Sequence, residues 1–368
     1  MKRAALPGGW QATRWGFAAR VLLTLAIAWA AAQLCLLLKT PLPWMLGPMM
    51  ATSLASIGGV PTASSGRARN AAQWTIGAAL GLYFTPAVTA MVASMWWAIV
   101  LGIVCALGLG WLFGAWLYRV HAPRMAHVPA AQLRATCYFA GAIGAASEMT
   151  LLSERENART ELVAASHSLR VVIVTVLIPF ALQWSGLHGV EAQASALARE
   201  VHGPGLLLLA LGTGVGACVM RHLKLANPWL LGALLVSMGM AMLDLELSGV
   251  PQGMLSAAQL AIGVSLGVRF RRDFLRTAPR WLGTVTAGSL VLMVACALLA
   301  MAMAWATGLP WATMVLGTAP GGIAEMAITA KVLQLGVPMV TAFQVCRLLA
   351  VLLLAEPLYR RLYKAVPA

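Results

Sequence analysis

Six stretches of this chain are long and apolar enough to lie across a lipid bilayer: Val21–Leu38, Trp96–Leu117, Leu162–Trp184, Leu206 through Val219 and beyond, Trp281–Ala306 and Val340–Leu358. Nothing else in the sequence constrains the fold as strongly. In hydrocarbon every backbone N–H and C=O must find a partner within the protein, so only helices or a closed barrel can cross. The runs are continuously apolar and do not alternate as barrel strands would, which selects helices. Composition agrees, because 60% of the 368 residues are hydrophobic and only 10% are charged, against about a quarter charged in a soluble domain. The expected class is all-α, a polytopic membrane protein.

The net charge of +15 raises the question of an acidic partner. Its arginines lie in short clusters at the ends of apolar runs, as orientation signals do, and no soluble basic domain is present to hold nucleic acid. Direct nucleic-acid binding is therefore not expected, and the lipid bilayer is. The six cysteines form no C-x-x-C pair and fall mostly in apolar runs, so they read as small packing residues. Residues 1–14 are basic and precede a full-length apolar run without a convincing cleavage site, which reads as a cytoplasmic N-terminus and an uncleaved first helix.

The chain repeats itself. Pro43-Trp44-Met45-Leu46-Gly47 returns as Pro228-Trp229-Leu230-Leu231-Gly232, and Gln73 with Ile76-Gly77 and Leu80-Gly81 returns as Gln259 with Ile262-Gly263 and Leu266-Gly267. Glu148 and Glu325 stand 177 residues apart, as do Arg170 and Arg347. Four matches in the same order indicate duplication. The repeats span 15–186 and 203–364, joined by an extracytoplasmic linker over 187–202. Equivalent loops carry opposite charge bias. Arg67 and Arg69 answer to Asp244 and Glu246, the uncharged stretch between Phe84 and Trp96 to Arg269, Arg271, Arg272, Arg276 and Arg280, and Arg119, Arg124 and Arg134 to the uncharged Thr307–Trp311. By the positive-inside rule the repeats have inverted topology.

Inversion needs an odd number of crossings per half, whereas six apolar segments are present. The segment expected not to cross is the one bearing the glutamate, Ala135–Ser153 or Ala312–Gln334, whose second copy is interrupted by Pro320-Gly321-Gly322. Such a broken or re-entrant segment leaves about ten transmembrane helices and puts both termini in the cytoplasm. It also places 21 of the 26 Lys and Arg residues inside. A twelve-crossing parallel repeat is the alternative, and it loses that asymmetry.

Charges within apolar runs cost roughly 2.5–3.5 kcal/mol each, so Glu148, Glu325, Arg170 and Arg347 need a reason. Either they build a substrate or ion site at the midplane, or the arginines pair with the glutamates to make burial tolerable. A break at Gly321-Gly322, with Gly144 in the first copy, would expose N–H groups that attract an anion. Gln73 and Gln259 either contact substrate or join neighbouring helices, while Gly77/Gly81 and Gly263/Gly267 allow close helix approach. His167, one turn before Arg170, either tunes one copy of the site or is a satisfied core residue. Its counterpart in the second half is Gln344. The histidines show no metal-ligand spacing, and no phosphate-binding loop is present, so no metal, cofactor or ATP-driven step is expected.

Pro43–Gly47 with Ile57-Gly58, and above all Thr318-Ala319-Pro320-Gly321-Gly322-Ile323-Ala324-Glu325-Met326, resemble the AbrB-type duplicated membrane protein family, also catalogued as an ammonia monooxygenase. In the first half Ile143 replaces the proline and only Gly144 of the glycine pair remains, so a softer break is expected there. The family labels imply a regulator of gene expression or an oxygenase, but the chain has neither a soluble reading head nor clustered histidines. The expectation is a non-enzymatic secondary transporter in a bacterial-type inner membrane. It would carry a small, anionic metabolite, coupled to H⁺ or Na⁺, and a homodimer is compatible with it. The alternative is a membrane sensor that binds a ligand without moving it.

Overall fold

Long apolar runs become long helices. A computed structural model describes residues 14–185, 200–243, 245, 248–270 and 279–363, and all regular structure among them is helical. The first half contributes α1 (Arg14–Leu37), α2 (Pro43–Gly58), α3 (Gly66–Gly81), α4 (Pro86–Ser94), α5 (Trp96–His121), α6 (Ala130–Gly141), α7 (Ala146–Arg155) and α8 (Thr160–Trp184). The second contributes α9 (Gly203–His222), α10 (Pro228–Met242), α11 (Gln252–Gly267), α12 (Pro279–Thr307), α13 (Trp311–Thr318), α14 (Ile323–Val332) and α15 (Val337–Tyr363). The N-terminal residues through 13, the linker over 187–199, Asp244, Glu246, Arg271, Arg272 and Arg276 lie outside the described residues.

Among the described residues six helices, α1, α5, α8, α9, α12 and α15, are long and apolar enough to cross a membrane. Their outward faces are apolar too: Trp184 is 93% exposed, Trp305 90% and Leu37 81%. Water would penalise such a belt, and hydrocarbon does not. The shorter α2, α3, α10 and α11 have 15 or 16 residues each. The chain bends by 89° between α3 and α4, where Pro86 opens the new helix and Thr85 accepts from the Val88 N–H.

The helices form two compact units. One holds α1, α2, α11 and the start of α3, through Ala72. In it α2 packs on both α1 and α11. Gly263 and Gly267 bring α11 onto the carbonyls of Met45 and Met49, where a Cβ at either glycine would lie within 2.6 Å of the oxygen. The other unit holds the remaining described residues. There Gly77 and Gly81 set α3 against the carbonyls of Leu230 and Leu234 on α10 in the same way. The third helix of each half therefore packs on the second helix of the other.

The backbone repeats at the sequence offsets. All six described non-glycine residues with left-handed φ fall into three pairs: Lys39 with Lys224, Leu42 with Asn227, and Asn157 with Gln334. Leu42 and Asn227 immediately precede Pro43 and Pro228, the first residues of α2 and α10. An αL conformation at a leucine is uncommon, so its recurrence at matched turns reflects geometry that the two halves share.

Candidate functional site

Each glutamate segment is a hairpin of two short helices. In the first, α6 ends at Gly141 and α7 begins at Ala146. In the second, α13 ends at Thr318 and α14 begins at Ile323. The backbone between is extended, with ψ of 141° at Ala142 and 144° at Ala145, against 137° at Ala319 and 155° at Gly322. The two breaks cover equivalent residues, 142–145 and 319–322, with matching dihedrals at their ends, so the softer first break expected where Ile143 replaces the proline is not found. At the base of the first hairpin, Gln132 Nε2 donates to the Asn157 carbonyl (3.0 Å), and the Arg159 N–H donates to Thr136 Oγ1 (2.9 Å). The equivalent threonine, Thr313, packs under Gly336, where an added Cβ would lie 2.5 Å from its methyl. Each segment therefore leaves and returns at one place.

The arginines hold the breaks open. A helix that stops at Gly141 or Thr318 leaves its last carbonyls without intrahelical donors. Arg170, 1% exposed on α8, donates from Nη1 to the carbonyls of Ala140 (3.4 Å) and Gly141 (3.3 Å), and from Nη2 to Ala142 (2.6 Å). Arg347, on α15, donates from Nη1 to Thr318 (3.3 Å) and Ala319 (2.5 Å), and from Nη2 to Gly321 (3.0 Å). Each guanidinium also sits where the helix dipole favours a cation. These bonds go to carbonyls, a partner that the sequence did not suggest.

His167 and Gln344 do the same work with different chemistry. His167 Nδ1 lies 2.7 Å from Arg170 Nη2, and its Nε2 lies 2.9 Å from the Phe139 carbonyl. An acceptor facing the arginine and a donor facing the carbonyl define the neutral Nε2–H tautomer. Gln344 accepts from Arg347 Nη2 at 2.6 Å and donates to the carbonyls of Leu316 (2.7 Å) and Ala319 (3.2 Å). His167 is thus a satisfied core residue with a matching role in both halves.

The glutamates differ. Glu325, 8% exposed, folds its carboxylate back over Gly322, into the space that a Cβ there would take. This is the reach of a first-turn acid toward its N-cap residue, at the positive end of α14. In the first half Ala145 stands at the glycine's place. Glu148 is half-buried and accepts from the Ser147 hydroxyl at 2.7 Å. One methyl group separates the two arrangements. Gly144 and Gly321 are alike, each packed against the methionine five residues on, Met149 or Met326. A Gly322→Ala variant should keep the fold, since ψ of 155° suits alanine and the displaced atoms end a flexible side chain. Its Glu325 should become reactive to a carboxyl-directed carbodiimide, as Glu148 should be in the native protein. Mass spectrometry of the labelled peptide measures this, and a Glu325 still protected in the variant would show that the glycine does not place it.

Glu148 opens onto a cleft of about 790 Å³ lined by Ser147 and Arg155 of α7, Lys224 and Asn227 of the α9–α10 turn, and Glu356 and Arg360 of α15. Arg360 pairs with Glu356 at 2.6 Å and with Glu156 at 2.8 Å, and Arg155 reaches Glu356 at 3.3 Å. The sequence shows only the Glu356–Arg360 pair, four residues apart on one helix face; Arg155 and Glu156, which complete the cluster, lie 201 and 204 residues from their partners Glu356 and Arg360 and form no pattern with them. Of the remaining expected residues, Pro320 lies in the second break, half-buried Gln73 belongs to the larger unit, and buried Gln259 belongs to the smaller one.

Fold and site together define a helical membrane protein with two arginine-capped hairpins. The chain belongs to the AbrB family, whose description, "Transition state regulatory protein AbrB", matches residues 44–363. It is 27% identical over 309 residues to "Uncharacterized protein YhjN" of Bacillus subtilis (strain 168), covering 79% of this chain and 77% of that one. It is 26% identical over 353 residues to "Putative regulator AbrB" of Escherichia coli (strain K12), covering 94% and 96%.

Proposed function

We propose that this protein is a secondary transporter for a small anionic metabolite, coupled to H⁺ or Na⁺. It is built from two inverted repeats of five crossings and one re-entrant hairpin each. The observation that carries this reading is the pair of hairpins, broken at equivalent residues and closed at their bases. Broken helices in corresponding positions of two repeats are the usual setting for a transport site, because unpaired backbone at membrane depth needs a ligand or a cavity to face. The N-termini of α7 and α14 supply N–H donors for an anion, and Glu148 and Glu325 in their first turns bind or relay the cation.

The cleft beside Glu148 opens among Arg155, Lys224 and Arg360, residues that the positive-inside rule assigns to the cytoplasm. We read this as an inward-open state in which Glu148 meets solvent while Glu325 is shielded. Alternating access would expose Glu325 on the other side. On this reading the protein belongs to the inner membrane, with both termini in the cytoplasm by the positive-inside rule.

Reconstituted protein should accumulate substrate along an imposed H⁺ or Na⁺ gradient, in a screen of dicarboxylates, amino acids and sugar acids. Both Glu148→Gln and Glu325→Gln should abolish the gradient-driven part. Undiminished uptake by both variants would remove the glutamates from the mechanism. The names of the family and of the Escherichia coli relative favour a second reading, a membrane sensor acting on gene expression through a partner. It predicts saturable ligand binding with no flux in the same vesicles.

A further inference from the structure

The cleft beside Glu148 changes character along its length. Arg155, Glu356 and Arg360 stand together at one end, and Glu148 lies seven residues before Arg155 on α7, about 10 Å further in. The charged end belongs to the membrane surface, because the last turns of α7, α9 and α15 are all basic, with Arg155, with Arg221 and His222, and with Arg360 and Arg361. Lys224, just beyond α9, lines the same cleft. Inward of the charges the wall is apolar and uncovered. Leu151 lies between Glu148 and Arg155, Leu353 lies one turn in from Glu356, and Leu225 follows Lys224; all three are exposed, Leu353 at 70%. Leu349, one turn before Leu353, is exposed as well, so the apolar wall continues into the lipid-facing side of α15.

The cations of the cleft are not consumed by its carboxylates. Arg155 bonds Glu356 through Nη1 alone (3.3 Å), and Arg360 uses Nε on Glu156 and Nη2 on Glu356. Each guanidinium therefore keeps N–H donors to offer, on a side chain more than half exposed. Lys224 forms no ion pair among the described residues. This charge is built once. At the 177-residue offset, Val332, Pro179 and Gln183 stand where Arg155, Glu356 and Arg360 do.

We propose that this cleft binds an anionic phospholipid, its phosphate held by Lys224 with Arg155 and Arg360 and its acyl chains laid along Leu151, Leu225 and Leu353. Cations where helices meet the membrane surface attract an anionic headgroup. Exposed leucines inward of them need a hydrocarbon partner, which neither water nor a soluble anion supplies. The order along the cleft, charge at the surface and apolar wall toward the midplane, is the order of a phospholipid in its leaflet. Because Glu356 is shared by two arginines and Lys224 has no carboxylate, Lys224 sets the preference for a charged headgroup. The proposal rests on the lining of the cleft and not on transport, so a protein that moves no metabolite still binds the lipid.

Full-length protein in dodecyl maltoside is to be titrated with phosphatidylglycerol and with phosphatidylcholine of the same chains, and the bound lipids counted by native mass spectrometry. The first phosphatidylglycerol should bind at least about fivefold more tightly than phosphatidylcholine. Lys224→Asn, which keeps a residue suited to the left-handed φ of 54° at that turn, should weaken phosphatidylglycerol about fivefold and leave phosphatidylcholine as it was. Arg221→Gln removes a charge from the same helix end but from outside the cleft lining, and should change neither lipid. Glycerol 3-phosphate, a charged head without chains, should not displace the lipid even in large excess. Equal binding of the two lipids, a preference that survives Lys224→Asn, or one that falls as far with Arg221→Gln would each overturn the proposal. Displacement by glycerol 3-phosphate would overturn it too, by marking a site for soluble anions.

Discussion

Replacing Arg347 with methionine should cost about 3–5 kcal/mol of stability, enough to prevent recovery of folded protein in a mild detergent. The side chain supplies donors to the carbonyls of Thr318, Ala319 and Gly321 and to the Gln344 amide oxygen. Methionine fills much of the same volume but leaves those acceptors buried and unsatisfied, at about 1–3 kcal/mol for each group left without a partner. Lysine should not rescue it, because a single ammonium on a flexible stem cannot reproduce a planar fork that serves three carbonyls between Thr318 and Gly321. Arg170→Met should behave alike, since it serves Ala140, Gly141 and Ala142. Folded yield and Tm by size-exclusion-coupled thermal challenge measure this. If Arg347→Met remained monodisperse with native Tm, the guanidinium would not be what sustains the break.

Those arginines also show where reading the sequence stops. Their burial was legible, because an ionised group in an apolar run 177 residues from its twin needs a structural or functional reason. Their partners were not. A carbonyl carries no signature in the sequence, so the available candidates were the glutamates, and the geometry instead joins each arginine to the end of a half-helix. The first hairpin teaches the same point. Ile143 and Ala145 stand where the second copy has Pro320 and Gly322, and local propensity argues for a weaker interruption. The backbone at Ala142 nonetheless matches that at Ala319 within a few degrees. Hydrogen bonds from α8 hold the break there, which is tertiary structure overriding propensity.

The long helices were legible for the opposite reason. In lipid a helix needs only length and apolarity, with no pattern of polar faces to misread, so Trp96–His121 and Thr160–Trp184 appear close to where the apolar runs place them. Which helix packs on which was hidden. Gly263 and Gly267 announce close approach, but the same stripe would serve against a helix of its own repeat or of the other. The difference between Gly322 and Ala145 was visible as a broken motif. Its consequence, one glutamate tucked back and one facing a cleft, follows only once a Cβ is set against the carboxylate.

The glycine stripes should give the second large effect, and one whose sign depends on position. Gly263→Val and Gly77→Val should each destabilise by about 3 kcal/mol, at the upper end for overpacking a well-filled contact. At Gly263 a Cβ would lie 2.5 Å from the Met45 carbonyl oxygen and 3.2 Å from the Pro48 side chain. At Gly77 it would meet the Leu230 carbonyl and lie 3.1 Å from the Ala233 Cβ. A carbonyl oxygen within a helix cannot step aside as a flexible side chain can, so the two helices must separate and lose their contact along its length. Gly108, in the middle of α5, meets nothing within 4 Å. Gly108→Ala should therefore stabilise by about 0.5–1 kcal/mol through helix propensity alone. Thermal unfolding of the three variants in one detergent compares them directly. Equal losses at positions 77 and 263 with a gain at 108 would follow from the reciprocal packing of α3 on α10 and α11 on α2. A neutral Gly263→Val would mean that the α2–α11 contact is looser than its geometry, and the exchange of third helices between the halves would lose its main physical support.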